Sequence, residues 1–259
     1  MPNVNSNAEA SRTATHILRT SASPERQLTA RQHVSKTRKT RLTDPGDLPI
    51  LTDEQIADLE AANGLIQFDR VRELVRAGVA SGTKFRLLPS SVLELNRLVV
   101  AGLEPSAGAW RTKNVEIDGS DHVPPPWEHV PGHAEEMCDY INERWDDASP
   151  IHLSAYLMWR INWIHPFANG NGRTSRAVSY LVLCLKLGYE LPGTTTVADQ
   201  ITLDRSDYYA ALDDADAAAV LRTVDVSSME RLITGYLASQ LLEVVRRAQA
   251  ASCSSHVGC

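Results

Sequence analysis

Apolar positions recur at helical spacing along most of the chain, and capping signals mark where helices begin and end. Thr52 with Gln55 three residues later reads as a capping box that opens a first helix running to about Arg76, with Gly78 as its expected stop. A second helix follows Pro89-Ser90-Ser91 and ends near Gly102. Helical periodicity returns from Pro131 to about Trp145. Two later stretches, His152–Ile164 and Arg173–Leu187, are apolar on nearly every face, which is the mark of a buried helix. Gly188 closes the second of them. Further helices are expected over Asp204–Asp214 and Ser227–Ala248, the latter with a Ser227/Glu230 capping box.

One stretch breaks the pattern. Trp110 to Ile117 fits a helical period poorly, carries β-branched residues, and leads into Asp118-Gly119, a hairpin-type turn signal. Pro124-Pro125-Pro126 then holds the chain extended. The fold class expected is therefore mostly α, with two buried central helices flanking a short polar loop and one small β-hairpin.

Composition adds limits. With 259 residues the chain can hold one sizeable core, and its net charge of −6 argues against a surface built as a nucleic-acid footprint. Residues 1–43 contain eight Lys/Arg against Glu9 and Glu25, a net +6, so the remainder carries −12. Rich in Ser, Thr and Asn, this leader lacks the apolar surface to fold alone and is expected to be a disordered basic segment, with a targeting role as the alternative. The longest apolar run, Ala177–Leu187, is too short to span a bilayer, so no membrane partner is expected. Cys138, Cys184, Cys253 and Cys259 show no metal or disulfide spacing, which makes a reduced, cytoplasmic protein the default. The domain reading is a leader at 1–47, a catalytic domain at 48–216 (N-terminal helices 52–102, hairpin 110–120, core 131–190), a C-terminal helix at 217–249, and a tail at 250–259.

The loop between the two apolar helices concentrates the chemistry. It reads His165-Pro166-Phe167-Ala168-Asn169-Gly170-Asn171-Gly172-Arg173-Thr174-Ser175-Arg176. Gly170 and Gly172 allow close backbone approach, so amides can converge at the N-terminus of a buried helix, where an anion is favoured. Arg173 and Arg176, three apart, share a side of that helix's first turn and suit a polyphosphate. His165 stands at the opposite lip, and the unperturbed pKa of an imidazole suits a general base near neutrality. Together these groups suggest phosphoryl-type transfer to a hydroxyl.

This segment resembles the signature of the Fic family, HPFx[D/E]GNGRxxR, at every fixed position except 169. Gly108-Ala109-Trp110-Arg111, Val115, Ile117 and Pro124-Pro125 are similar to the family's approach to its flap hairpin, and the resemblance covers about Asp53 to Asp216. It implies a protein adenylyltransferase that moves AMP from ATP to a Ser, Thr or Tyr hydroxyl of a target protein. On that resemblance His165 would be the base. Gly170, Asn171 and Gly172 would cradle the α- and β-phosphates, with Arg173 on the phosphates and Arg176 on the γ-phosphate. The hairpin residues Lys113, Asn114, Val115, Glu116 and Ile117 would register an extended stretch of the target. Asn169 stands where the family usually has a carboxylate for Mg²⁺, and an amide oxygen brings no charge to that metal.

The family's inhibitory [ST]xxxE[GN] helix is not found: Ser21/Glu25, Ser90/Glu94, Thr112/Glu116 and Ser239/Glu243 are each followed by neither Gly nor Asn. An inhibitory partner supplied from outside is one option this leaves. The competing readings are a Fic protein with another transfer chemistry or with AMP removal, and a nucleotide-binding module whose metal site has lapsed at Asn169.

Overall fold

The computed structural model describes residues 51–256, with side chains described as far as residue 250. The basic leader at 1–47 and the side chains of the tail lie outside the described residues. Among the described residues there are eight α-helices: α1 (Asp53–Ser81), α2 (Pro89–Val99), α3 (Val130–Glu143), α4 (Pro150–Ile164), α5 (Asn171–Leu187), α6 (Val197–Leu203), α7 (Ser206–Val220) and α8 (Ser227–His256). A 3-10 turn at Trp127–His129 leads into α3.

The paired helices α4 and α5 form the centre. Leu153, Leu157, Ile161 and Ile164 of α4 and Val178, Leu181, Val182 and Cys184 of α5 are sealed from solvent. Where the two helices touch, Ser154 and Ser179 satisfy each other through their hydroxyls at 2.8 Å, as buried polar groups must. The helices α1 and α2 pack against α5, and α3, α7 and α8 pack against α4.

The Thr52/Gln55 capping box forms as read. Gly78, however, does not stop α1, which runs on to Ser81 and ends at Gly82 with φ 62°. Gly78 instead serves packing: a Cβ there would lie 2.5 Å from Leu185 Cδ2, so its bareness lets α1 lie directly on α5. Asn63, Gln67, Val71 and Val75 recur at four-residue spacing and form the buried stripe of α1. Two of them are amides that close the end of α2: Asn63 Nδ2 donates to Ala101 O at 2.8 Å, and Gln67 Nε2 to Leu95 O at 2.9 Å. Arg72 and Arg76 grip Glu190 just beyond α5 and fasten α1 at that end.

Three other expectations need correction. The Ser227/Glu230 box is not made. Asp225 Oδ1 accepts from Ser227 N at 3.0 Å, while the Glu230 carboxylate turns to His152 Nδ1 at 2.6 Å and ties α8 to α4. The last helix continues to His256, past the boundary read at 249. A short helix, α6, was not foreseen; a Thr196/Asp199 capping box starts it.

The hairpin expected at 110–120 is not confirmed as a pair of strands. Its turn is present, with Gly119 at φ 77° and Ser120 N donating to Ile117 O at 3.1 Å, but no paired ladder forms among the described residues. The Arg111 guanidinium bonds the Lys113 and Pro125 carbonyls on the two sides of that turn. The segment is extended chain with alternating burial: Val115 and Ile117 face inward, and Lys113, Asn114 and Glu116 face out.

Candidate active site

α4 ends in a tight left-handed corner. His165 is its C-cap at φ 48°, ψ 57°, a conformation that L-residues other than Asn, Asp and His seldom adopt. The corner is fastened by its own backbone, His165 N donating to Ile161 O at 2.9 Å, and by Arg111. Arg111 N donates to Pro166 O at 2.9 Å, and Arg111 Nε to His165 O at 2.8 Å. The same side chain reaches Lys113 O at 2.9 Å and Pro125 O, so one buried cation joins the loop, the extended flap and the proline segment. Burial pushes its guanidinium below the ordinary arginine value. The His165 ring is itself buried, with Nδ1 3.3 Å from Asn162 O.

Beyond the corner the loop is closed by side chains. Phe167 is buried and packs its ring against Trp110, centroids 5.2 Å apart. The Asn171 side-chain amide makes two hydrogen bonds to Phe167, accepting from its N–H and donating to its carbonyl, both at 2.9 Å. It thereby substitutes for a missing backbone partner. The Asn171 side-chain amide is thus committed to the loop, and the phosphate-cradle expectation for this residue concerns its backbone N–H.

Gly170 caps α5 at φ 79°, and a Cβ there would sit 2.6 Å from Val100 Cγ1, so both the dihedral and the packing require glycine. No side chain caps α5, which leaves its N-terminal dipole without an internal oxygen ligand of that kind. A Cβ at Gly172 would lie 3.4 Å from Arg176 Nη1, so the Arg176 guanidinium folds back over the first turn of its own helix. Arg173 is held differently. Its Nη2 reaches Asn169 Oδ1 at 3.2 Å and Glu60 Oε1 of α1 at 3.3 Å. Burial lowers the pKa of both arginines, most strongly by desolvation of the cation.

Sequence reading therefore found the loop but not its supports. Asn96 of α2 is buried and donates from Nδ2 to Asn169 O at 3.0 Å, while its Oδ1 accepts from Gly108 N at 3.1 Å. Asn162 of α4 reaches Ser175 Oγ and Tyr208 Oη, both at 2.9 Å. A polar residue on the otherwise apolar face of its helix is the signal that could have found Asn96. Glu60 stands in no [ST]xxxE[GN] frame, so a motif scan passes over it.

The donors present do not make a magnesium site by themselves. Asn169 Oδ1 already faces a guanidinium, and among the described residues no group of three or more His, Cys, Asp or Glu converges. The arrangement places the His165 imidazole at the end of α4 and two arginines in the first turns of α5, whose start has no side-chain cap.

Known proteins resemble this chain in sequence and in fold. A sequence model of the Fic/DOC family matches residues 86–183. A curated relative, the protein adenylyltransferase Fic of Nematostella vectensis, is 32% identical over 153 residues, covering 57% of this chain and 34% of its own length. The protein adenylyltransferase fic-1 of Caenorhabditis briggsae is 28% identical over 155 residues, with 58% and 28% covered. The chain thus spans about a third of the length of these curated relatives. Among solved structures, Fic-1 of C. elegans superposes with a TM-score of 0.60 at 21% identity, covering 78% of this chain and 56% of that one. A Fic-domain signalling protein of Bacteroides thetaiotaomicron gives 0.57 at 20% identity, covering 75% and 73%.

Proposed function

Because residues 86–183 are a Fic/DOC family domain, we propose that this chain is a protein adenylyltransferase, moving AMP from ATP to a hydroxyl side chain of a target protein. One observation carries the reading: His165, the uncapped start of α5, Arg173 and Arg176 stand within a single twelve-residue segment that spans the loop and the first turns of α5.

In the step proposed, a Ser, Thr or Tyr oxygen attacks the α-phosphorus, forming an oxygen–phosphorus bond. The bond from the α-phosphorus to the bridging oxygen breaks, and pyrophosphate leaves with its electron pair. The proton of the hydroxyl passes to His165 Nε2. Amides at Gly170–Gly172 and the positive end of the α5 dipole meet the charge on the phosphates. Arg173 lies against them once its ion pair with Glu60 gives way, and Arg176 takes the far end of the chain of phosphates. The extended segment Lys113–Ile117, fixed by the inward turn of Val115 and Ile117, supports docking of an extended stretch of target by strand addition.

On this reading Asn169 would offer one neutral oxygen to a magnesium ion held mainly by the nucleotide's phosphates, which would offset their charge. The buried, unpaired thiols of Cys138 and Cys184 suit a reducing compartment such as the cytoplasm. Among the described residues no helix is long and apolar enough to cross a membrane.

The test is transfer in a lysate from ATP labelled at the α-phosphate, run beside ATP labelled at the γ-phosphate. Label appearing on protein from the α-position alone, with a mass increase equal to an adenylyl group, supports the reading. Transfer from the γ-position would assign phosphorylation, and nucleotide binding without any transfer would assign a binding module.

A further inference from the structure

The loop is not the only source of cations at the start of α5. Tyr208 of α7 is buried, and its hydroxyl accepts from Asn162 Nδ2 at 2.9 Å. Asn162 in turn flanks the first turn of α5: its Oδ1 and Arg176 Nη1 lie 4.0 and 3.4 Å from the same Cβ position at Gly172. This contact docks the first turn of α7 against the site. Arg205, the N-cap of α7, lies three residues before Tyr208 and so shares that face of the helix.

Arg205 is poorly provided with partners. Its Nε is buried without a hydrogen bond, and no carboxylate pairs with it among the described residues. The adjacent Asp204 is engaged by Ser206, whose N–H and hydroxyl both bond to Oδ1. Arg176 likewise has no hydrogen bond or ion pair among the described residues. The buried Nε of Arg160 is a different case, since that guanidinium rests on the Trp163 ring at 4.2 Å and reaches Glu136. Arg205 is close enough to Arg173 and Arg176 to lower the pKa of both by repulsion. Arg205 therefore adds to the positive charge near the start of α5, where Glu60 pairs with Arg173 and no other carboxylate pairs with the three arginines among the described residues. A buried hydrogen-bond donor left unmade is costly, and so is a cluster of like charges; an anion with several oxygens relieves both.

We propose that Arg205 is a third guanidinium of the anion site, binding the terminal phosphates of a nucleoside triphosphate together with Arg176. The proposal rests on the nucleotide reading given above. In the transfer step Arg205 would sit on the pyrophosphate half, where charge accumulates as the bond to the α-phosphorus breaks.

Calorimetric titration of the full chain and of its Arg205→Ala and Arg205→Lys variants with ATP, AMP and inorganic tripolyphosphate tests it. A charge-assisted bond to phosphate predicts that Arg205→Ala weakens ATP and tripolyphosphate about tenfold or more. AMP should change less than about twofold, and Arg205→Lys should fall between. The melting temperature of unliganded Arg205→Ala should not fall, because a repulsive neighbour of Arg176 has been removed. Unchanged ATP affinity, or equal losses for AMP and ATP, would overturn the assignment. If tripolyphosphate binds in an Arg205-dependent way while nucleotides do not bind, the anion site stands and the adenylyl-transfer reading falls. If wild type binds none of the three, both fall.

Discussion

Arg111 Nε donates to the carbonyl of His165 at 2.8 Å, so the residue that ends α4 in a left-handed turn is held there by a buried guanidinium from outside the loop. A non-glycine residue in this conformation costs on the order of 1–3 kcal/mol and persists only where its surroundings impose it. Arg111 supplies that imposition, and its other nitrogens extend it to the flap.

Replacing Arg111 by Met should therefore cost stability and positioning together. Carbonyls of His165, Lys113 and Pro125 would lose their donor, at about 1–3 kcal/mol for each that remains buried. A loss of about 3 kcal/mol or more in urea unfolding is expected. Transfer should fall even at temperatures where the variant is fully folded. Arg111→Lys should recover part of the stability, since one ammonium can meet one or two of these carbonyls but cannot span them all. A Met variant as stable as wild type would show that the guanidinium does not hold the corner.

His165→Ala should abolish most transfer while leaving ATP affinity within about twofold. The imidazole is proposed as a base and not as a phosphate ligand, and general-base catalysis typically contributes about 10²–10⁴-fold. Single-turnover transfer at saturating ATP measures this directly. An alanine variant that transfers AMP at the wild-type rate would remove His165 from the mechanism.

Asn169→Asp replaces an amide oxygen that now faces Arg173 Nη2 at 3.2 Å. The carboxylate adds a full charge for a divalent cation to meet, so transfer should rise at low Mg²⁺ and the gain should shrink as Mg²⁺ is raised. A Mg²⁺ series on both proteins reads the effect. Superimposable curves would mean that position 169 does not ligate the metal, and that its side chain serves only to orient Arg173.

Stability should decline in alkali for a reason visible in the core. Burial pushes the Cys138 thiol up to about 12 and the Cys184 thiol up to about 11, while Tyr156 is raised to about 12. In the unfolded chain thiols ionise from about pH 8.5. Above that pH the unfolded state therefore binds fewer protons than the folded one, and stability falls as pH rises, by about 1.4 kcal/mol per pH unit for each buried thiol. Thermal unfolding between pH 8 and 10.5 should show the decline, and a Cys138→Ala/Cys184→Ala protein should show a shallower one. Equal slopes would mean that other groups control alkaline unfolding.

The helices were legible because their signals are local. Thr52 and Gln55 cap α1, Gly188 ends α5, and the all-round apolar character of α4 and α5 marks them as central. The motif loop was legible for the same reason, since His165 to Arg176 are contiguous. What escaped depends on residues far apart in the chain. Gly78 looks like a stop until Leu185 is placed against it, and Glu230 looks like a cap until His152 takes it. The bonds from Arg111 to the carbonyls on both sides of the turn at Asp118-Gly119 were not legible either, since Arg111 was read only as part of a family likeness. Asn96, Glu60 and Arg205 support or extend the site from three other helices or their caps, and no spacing rule connects them to the loop.

The paired hydrogen bonds between Asn171 and Phe167 have a consequence for energetics as well as shape. A loop that had to be ordered by its ligand would subtract about 1–2 kcal/mol of conformational entropy per residue from the binding free energy. Here the ordering happens when the chain folds, with Asn171 standing in for a backbone partner and Phe167 sunk in the core. The amides at the start of α5 consequently need little reorganisation when an anion arrives. More of its interaction energy can then appear as affinity or as transition-state stabilisation.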